Sequence, residues 1–506
     1  MNSSHTLLEW FTSVGVKLNS SLYLKQDPQT GLSFYTAQPL PKDTTVIQVP
    51  KQLCITSSSA RQCIQLIFEK LGGSELHFEE VSLPAPDWIL LYLVLTRLAD
   101  QFLSIASAGN GEEVKKMFMH LDYVSHIPKH IVTPLHFSAA ELTLLTNTPL
   151  VGSTERRLLE TIVDYERARS LIATLLFHSC PFLTYLATAL QPVSSAELEN
   201  DKFMAQTYHK GLELWRWAES AFTSRSFPPR LIGLSDHRDA LSSDTAAASA
   251  PILIPAYDTF NHARAHPVTW SHSPACATHC DMVSMTLNYQ VPTAPCQVYN
   301  NYGGKSNEEF LAGYGFTLDT VSEDTLALRL GSEGDGAGQQ ANTHYWHIPS
   351  ESTIRSQTTP HETMGDFVKT FCPCPPLLAE LERIVLQGDE PPWIPEEQLE
   401  LYASVLETLE SLLLSKRKAF RASQKQIESL HDSLDFHVIA KPEREEGWYR
   451  SKGAADVNNA SSFRLNVWSN VMQYRAGQLH VMNHAVDWTR TELGRVADAL
   501  DGLDQG

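Results

Sequence analysis

The side chains best suited to chemistry fall in two short stretches, residues 251–262 and 297–316. The first contains Ile252-Leu-Ile-Pro-Ala-Tyr-Asp-Thr-Phe-Asn-His262, which leaves a strand and ends in an adjacent asparagine and histidine. The second reads Gln297-Val-Tyr-Asn-Asn-Tyr-Gly-Gly-Lys-Ser-Asn-Glu-Glu-Phe-Leu-Ala-Gly-Tyr-Gly-Phe316. Ser306 and Glu309 have the spacing of a capping box, so a short helix is expected to begin there. Phe310 and Tyr314 then share one face of it, and Gly315 can stop it. Tyr302 falls between a strand end and that helix, in a turn loosened by Gly303 and Gly304. An amide, an imidazole and a phenol are each able to hydrogen-bond a bound molecule. Each also has a plainer reading. A core histidine is more often a satisfied hydrogen-bonder than a ligand, and a lone tyrosine usually packs. Arg225, further upstream, is by default a surface charge.

The elements that must position these groups can be traced along the chain. Leu7, Leu8, Trp10, Phe11 and Val14 have helical spacing, so a short amphipathic helix opens residues 1–17. Residues 22–56 read as short strands, with Thr45 to Val49 the clearest. Pro86-Asp87 starts a helix whose apolar block, Trp88 to Leu95, is buried. Residues 84–225 are mostly helical, closing on one face with Leu212, Trp215, Ala218 and Phe222. Residues 234–250 read as an exposed loop, strands return from Ile252 to about residue 330, and a glycine-rich loop follows at 331–338. Leu399, Tyr402, Leu406, Leu409 and Leu413 recur every three or four residues, the mark of a long amphipathic helix. Val467, Val471, Tyr474, Leu479 and Met482 point to more helices near the end.

Bulk properties narrow the function classes. A chain of 506 residues exceeds one compact core, so two or three domains are expected. Its apolar runs fall short of the roughly 20 residues that cross a bilayer, and no charged start precedes a greasy stretch, so an intracellular protein is expected, in the cytoplasm, the nucleus or both. The formal charge of −19 argues against direct nucleic-acid binding and suits a basic protein partner such as a histone or ribosomal tail, although acidity also simply aids solubility. Eight scattered cysteines make no disulfide framework. Cys276 and Cys280 with His272 and His279 could be drawn as a metal site, but no second pair matches them, and Cys372 with Cys374 is weaker still. No metal is expected.

The two central stretches resemble SET domains, in particular the subfamily of the Rubisco large-subunit methyltransferase and the ribosomal lysine methyltransferases. Asp258 to His262 matches the family's D-x-x-N-H motif, Tyr302 to Asn307 its Y-G-x-x-S-N motif, and Tyr314 with Phe316 its closing aromatic pair. Thr223-Ser-Arg-Ser-Phe227 is similar to the S-R-x-F element that precedes them. The resemblance implies an α+β fold: a β-rich SET domain with a pseudoknot, split by a helical insertion and followed by an all-helical C-terminal domain. Its parts would be 1–83 (N-terminal helix and first SET part), 84–206 (insertion), 207–330 (second SET part) and 331–506 (a tail like the family's substrate-binding domain). It implies S-adenosylmethionine as cofactor. Asn261 and His262 would hold it, Arg225 would face its carboxylate, and Phe316 would pack on its adenine. Tyr302 would be the catalytic tyrosine, with Tyr257 and Tyr314 contacting the substrate. The family's opening G-x-G turn corresponds to Gly31, Leu32 and Ser33, with serine in place of the second glycine. A serine can make the same backbone contacts if its φ stays negative; weakened cofactor binding, or lost activity, is the alternative.

The chemistry implied is methyl transfer to a lysine of a non-histone protein, with a ribosomal or translation-related protein as the expected substrate. A free lysine has a pKa of about 10.4 and cannot attack while protonated. A narrow aromatic channel disfavours the ammonium by desolvation, and in-line alignment supplies much of the acceleration. Histone lysine or protein histidine as acceptor, and a non-catalytic SET-fold adaptor, are the competing readings. A monomer is expected.

Overall fold

The computed structural model describes residues 3–28, 30–71, 83–106, 108–175, 180–190, 202–234, 250–264, 266–275, 280–330, 342–348, 374–435, 448–451 and 462–504. The loops expected at 234–250 (its two end residues apart) and 331–338 lie outside them, as do Cys276, His279 and Cys372. The chain divides into two compact units. One comprises Met1–Ile131 with Arg157–Gly303, the other Val132–Arg156 with Gly304–Gly506. Residues 132–156 and 304–330, placed by sequence with the insertion and the second SET part, thus group by contacts with the tail.

The first unit contains β1 (Lys17–Leu18), β2 (Leu22–Asp27), β3 (Gly31–Thr36), β4 (Thr44–Pro50), β5 (Ser226–Phe227), β6 (Ile252–Leu253), β7 (Val268–Ser273), β8 (Met282–Leu287) and β9 (Cys296–Gln297). They form an antiparallel sheet in the order β1-β4-β8-β7, a second in the order β2-β3-β9, and the pair β5-β6. The β-branched run of β4 pairs with β8 so that Ile47 opposes Met285 and Val49 opposes Val283, all buried. In β3, Ser33, Phe34, Tyr35 and Thr36 are buried in succession, so this strand is enclosed on both faces. The helix expected at Pro86 runs Ala85–Leu103, with proline in its first turn and Asp87 complementing its N-terminal dipole. Every residue from Trp88 to Ala99 on it is buried, including Arg97. That guanidinium is retained because it donates to the carbonyls of Val124 and Ile127 at 3.0 and 3.2 Å, satisfying the end of the Leu121–His126 helix, and stacks 4.6 Å from the Trp217 ring. Buried His120, held between Tyr92 hydroxyl and Leu53 carbonyl, is pushed down to about 4 by burial and is a core histidine.

The second unit is built on the helices Pro395–Ser433 and Leu465–Asp504, which pack through Val405, Leu409, Leu413 and Phe420 against Val481, Met482, Ala485 and Val486. The leucine repeat is therefore a core stripe, and the apolar residues from Val467 to Met482 lie on one helix. The tail is helical in the main but also holds strands. β10 (Thr325–Leu330) pairs with β11 (Asn342–His347), and β12 (Leu434–Asp435), β13 (Trp448–Ser451) and β14 (Ser462–Arg464) form a small sheet. Buried polar groups fix the connections within this unit. Glu141 closes the capping box of the Ala139–Thr143 helix and also pairs with Arg464 through both carboxylate oxygens, at 3.0 and 2.7 Å. Arg475 donates to the carbonyls of Leu144 and Thr146 and to Ser423 Oγ, with its guanidinium 4.4 Å from the Phe420 ring.

Asn307, the last residue of the second motif, is a further joint in the second unit. Its side chain binds the Leu318 backbone N–H and carbonyl, and Asp324 accepts from both its backbone and its side chain. Asp324 is buried against Gly477, where an added Cβ would lie 2.0 Å from Asp324 Oδ2. Gly477→Ala is accordingly expected to destabilise the protein by roughly 1–3 kcal/mol through overpacking. Gly494→Ala, on the same helix with nothing within 4 Å, is expected to stabilise it by up to about 1 kcal/mol through helix propensity. Thermal unfolding of both variants checks this, and midpoints moving in the same direction would remove the Asp324 contact as the cause.

Candidate functional site

After β6 the chain passes through Ala256, a buried non-glycine residue with φ +70°, and makes a single 3-10 turn at Tyr257–Thr259. Strain of this kind costs about 1 kcal/mol or more and persists where the surroundings dictate it. The turn drives Tyr257 inward and brings Asp258 beside Arg225. Asp258 Oδ2 accepts the Tyr123 hydroxyl at 2.7 Å and lies 3.4 Å from Arg225 Nε. Arg225 ends the Lys202–Arg225 helix and is followed at once by β5, whose pairing with β6 carries the guanidinium to this place. Burial holds the Asp258 carboxyl up at about 6, against the opposing pull of Arg225 and the Tyr123 hydrogen bond.

Beyond Phe260 the chain runs parallel to residues 300–302. Asn300 N–H donates to the Asn261 carbonyl at 2.8 Å, and Ala263 N–H donates back to the Asn300 carbonyl at 3.1 Å. Asn300 is fully buried, and its Oδ1 accepts Trp270 Nε1 of β7 at 3.1 Å. Tyr302 closes the arrangement twice over. Its backbone N–H donates to His262 Nδ1 at 3.0 Å, and its hydroxyl donates to the Phe260 carbonyl at 2.8 Å. The two rings lie 5.1 Å apart at 24°. Because Nδ1 accepts, the neutral imidazole carries its proton on Nε2.

The β3 end grips Asn261 from the other side. Asn261 Nδ2 donates to the Thr30 carbonyl at 3.2 Å, and its backbone N–H donates to Ser33 Oγ at 3.3 Å. Gly31 has φ +79°, a conformation that favours glycine, whereas Ser33 is buried in regular strand and is not among the positive-φ residues. Leu32 lies between them, half-buried, opposite Gln26 of β2. The structure therefore brings Gly31, Leu32, Ser33, Asn261, His262 and Tyr302 to one locality of the first unit, with Arg225 joined to the same segment through Asp258.

Tyr257, expected from the resemblance to contact substrate, lies in the interior of the first unit. It is fully buried, its ring edge-on to Phe227 at 5.7 Å, and its hydroxyl has no hydrogen-bond partner among the described residues. Tyr314 and Phe316 belong to the second unit, where they cluster on Phe310 with ring centroids 5.6 and 5.0 Å away. The Asn307–Tyr314 helix has the expected capping box, and Gly315 ends it at φ +78°. A Cβ there would lie 2.6 Å from the Val132 carbonyl oxygen. Burial pushes the Tyr314 hydroxyl up to about 12, so it stays neutral. Tyr123, Asn300 and Trp270 went unnoticed in the sequence. Only Asn300 carried a signal, as part of the stretch that leads into Tyr302.

The residues present fit a nucleoside-sulfonium amino acid. Asn261 offers a half-buried amide, and a guanidinium at 225 suits a carboxylate. Buried Asp258 Oδ1 and Asn300 Nδ2 have no hydrogen-bond partner among the described residues, which marks the locality as polar beyond its internal needs. Among the described residues no group of three or more metal-ligating side chains forms, and no helix is long and apolar enough to cross a membrane.

Asp258 makes the pH dependence of stability testable. Its folded pKa of about 6 exceeds the ordinary 3.8, so the folded state holds this proton more tightly than the unfolded chain. Its contribution is full below pH 3.8 and is lost as pH rises through 6, a change of roughly 3 kcal/mol. Asp258→Asn lacks this component. Urea unfolding from pH 4.5 to 7.5 is expected to show the variant gaining on the wild type as pH rises, and parallel curves would show that Asp258 does not titrate in that range.

No family model matches the chain. Over 213 residues it is 27% identical to the ribosomal lysine N-methyltransferase set10 of Schizosaccharomyces pombe, covering 42% of this chain and 30% of that protein. Over 451 residues it is 26% identical to the protein-lysine N-methyltransferase EFM1 of Saccharomyces cerevisiae, covering 85% and 68%. The chain spans about a third of the length of the ribosomal lysine methyltransferases it matches. Among solved structures, the SET domain of LSMT bound to lysine and AdoHcy aligns with a TM-score of 0.53 at 15% identity, over 98% of this chain and 92% of that one. With these likenesses and the motif residues gathered as described, the chain has the fold of a SET domain and is similar in sequence to ribosomal and other protein-lysine N-methyltransferases.

Proposed function

We propose that this protein is an S-adenosylmethionine-dependent protein-lysine N-methyltransferase acting on a non-histone protein, with a basic ribosomal or translation-related protein as substrate. The observation that carries the reading is the convergence of Asn261, His262 and Tyr302: Tyr302 bonds directly to His262 and to the Phe260 carbonyl, and Asn261 is tied in through the Asn300 backbone N–H. The names of the relatives support the acceptor class: one is a ribosomal lysine N-methyltransferase and another a protein-lysine N-methyltransferase. The formal charge of −19 favours association with a basic partner through long-range attraction. The enzyme would work as a monomer in the cytoplasm or nucleus.

S-adenosylmethionine would supply a methyl group on a positively charged sulfur, and no metal is needed. The chain's own residues do the rest. Asn261, held by Thr30 and Ser33, presents its amide and the following His262 peptide in fixed positions, and Arg225 provides a cation for a carboxylate. The Tyr302 hydroxyl commits its proton to the Phe260 carbonyl, so its oxygen remains a hydrogen-bond acceptor. A phenol so fixed would orient an incoming amine through that amine's N–H rather than act as a strong base. Desolvation beside the positive sulfonium would favour release of the lysine proton to solvent water, and alignment would let the neutral amine take the methyl carbon as its bond to sulfur breaks, the neutral thioether being the leaving group.

Tyr302→Phe is expected to lower methyl transfer by about tenfold or more, the worth of one orienting hydrogen bond of about 1.4 kcal/mol. Cofactor binding, followed by calorimetry, should survive in that variant; unchanged turnover would take Tyr302 out of the mechanism. Asn261→Ala is expected to raise the cofactor dissociation constant by about tenfold, for the loss of one or two hydrogen bonds. An unaltered constant would overturn its assignment. The substrate itself is found by incubating purified protein and labelled cofactor with lysate from cells lacking the protein, then locating the label by mass spectrometry. Label on histidine, or none at all, would refute the lysine methyltransferase reading.

A further inference from the structure

One side of the Pro395–Ser433 helix carries a charge opposite to that of the chain. Leu414, Arg417, Lys418, Arg421, Ala422 and Lys425 line a cleft of about 460 Å³. They occupy one helical stripe, at offsets of 0, 3, 4, 7, 8 and 11 residues. The core stripe of the same helix runs through Leu409, Leu413, Phe420 and Ile427; Leu414 borders that core, while the four cations of the second stripe lie outside it. None of the four cations has a carboxylate partner among the described residues. In the same unit Arg464 pairs with Glu141 and Arg490 with Glu410.

Arg417 and Arg421 both donate to one neutral acceptor, Asn483 Oδ1, at 3.3 Å each. Two guanidinium groups are thus held close together by an atom that cannot neutralise them. Like charges about 6 Å apart repel by about 0.7 kcal/mol even in water. Although the chain has 58 acidic against 39 basic residues, no carboxylate among the described residues pairs with this stripe.

We infer that the cleft is a docking site for an acidic peptide segment of a partner protein, one whose carboxylates alternate with apolar or small residues. The spacing carries this choice. Arg417, Arg421 and Lys425 rise about 6 Å apart along the helix, and alternate residues of an extended peptide are about 6.7 Å apart. Carboxylates on one edge of an extended segment can therefore meet the three cations in turn. Leu414 and Ala422 offer apolar contact to side chains between them. A single nucleic-acid strand fits less well, because it relies on aromatic side chains for base stacking and none lines the cleft.

The test uses the full chain and a short fluorescein-labelled peptide alternating glutamate with serine and leucine, read by fluorescence anisotropy. Micromolar binding that weakens with added salt is expected. The Arg421→Glu/Lys425→Glu double variant should weaken it at least tenfold, with circular dichroism and thermal midpoint unchanged. If that variant does not fold, Arg421→Gln/Lys425→Gln serves in its place, with a loss of about threefold or more expected. No binding to the wild type, equal binding of a lysine-for-glutamate peptide, affinity unchanged by both variants, or tighter binding of a uridine oligonucleotide would each overturn the inference. Binding is read without methyl transfer, so its failure leaves the proposed reaction standing.

Discussion

Everything at the candidate site depends on two backbone segments that run parallel, residues 260–263 beside 300–302. Parallel pairing cannot be closed by a tight turn and requires a long excursion between the partners. Here the excursion is β7, β8 and β9. The first two add to the sheet of β4, and the last lands on β3 opposite Tyr35 and Thr36. Buried backbone amides in such a junction must be paired, and those of Asn300, Ala263 and Val298 are: Asn300 exchanges backbone bonds with Asn261 and Ala263, and Val298 donates to Phe34. His262 enters as one more acceptor for this backbone, which fixes its tautomer and brings the Tyr302 ring alongside. The site is thus a by-product of satisfying a strand crossing, and its rigidity comes from the same bonds.

Much of this was legible because the groups concerned are close in sequence to distinctive neighbours. The Ser306–Glu309 box and Gly315 are local signals, and the helix they delimit forms where they place it. The apolar block from Trp88 and the leucines of 399–413 have helical spacing and one destination, burial. What escaped are pairings between residues far apart that carry no local pattern. Tyr123 reaches Asp258 across 135 positions, and Arg475 reaches Leu144 across 331. Helical periodicity in 132–156 also says nothing about which core those residues feed, and their contacts assign them to the second unit. The short strands in the tail are two to four residues long in β12, β13 and β14, too short for alternation to register.

The departure at Ser33 has a structural account. In the G-x-G element, only the first position adopts a positive φ here, and it is glycine. The second lies in extended strand, paired with Lys25 of β2, where a Cβ brings no backbone strain. Serine at that place gives up nothing in conformation and adds a hydroxyl that accepts the Asn261 N–H. A glycine would leave that N–H to find water or a ligand, and a buried donor without a partner costs about 1–3 kcal/mol. The substitution exchanges a flexible contact surface for a side-chain tether between the β3 loop and the asparagine. The same hydroxyl also fixes the direction of the peptide preceding Asn261, so the alternative of a site weakened at this position lacks a steric basis in the strand itself.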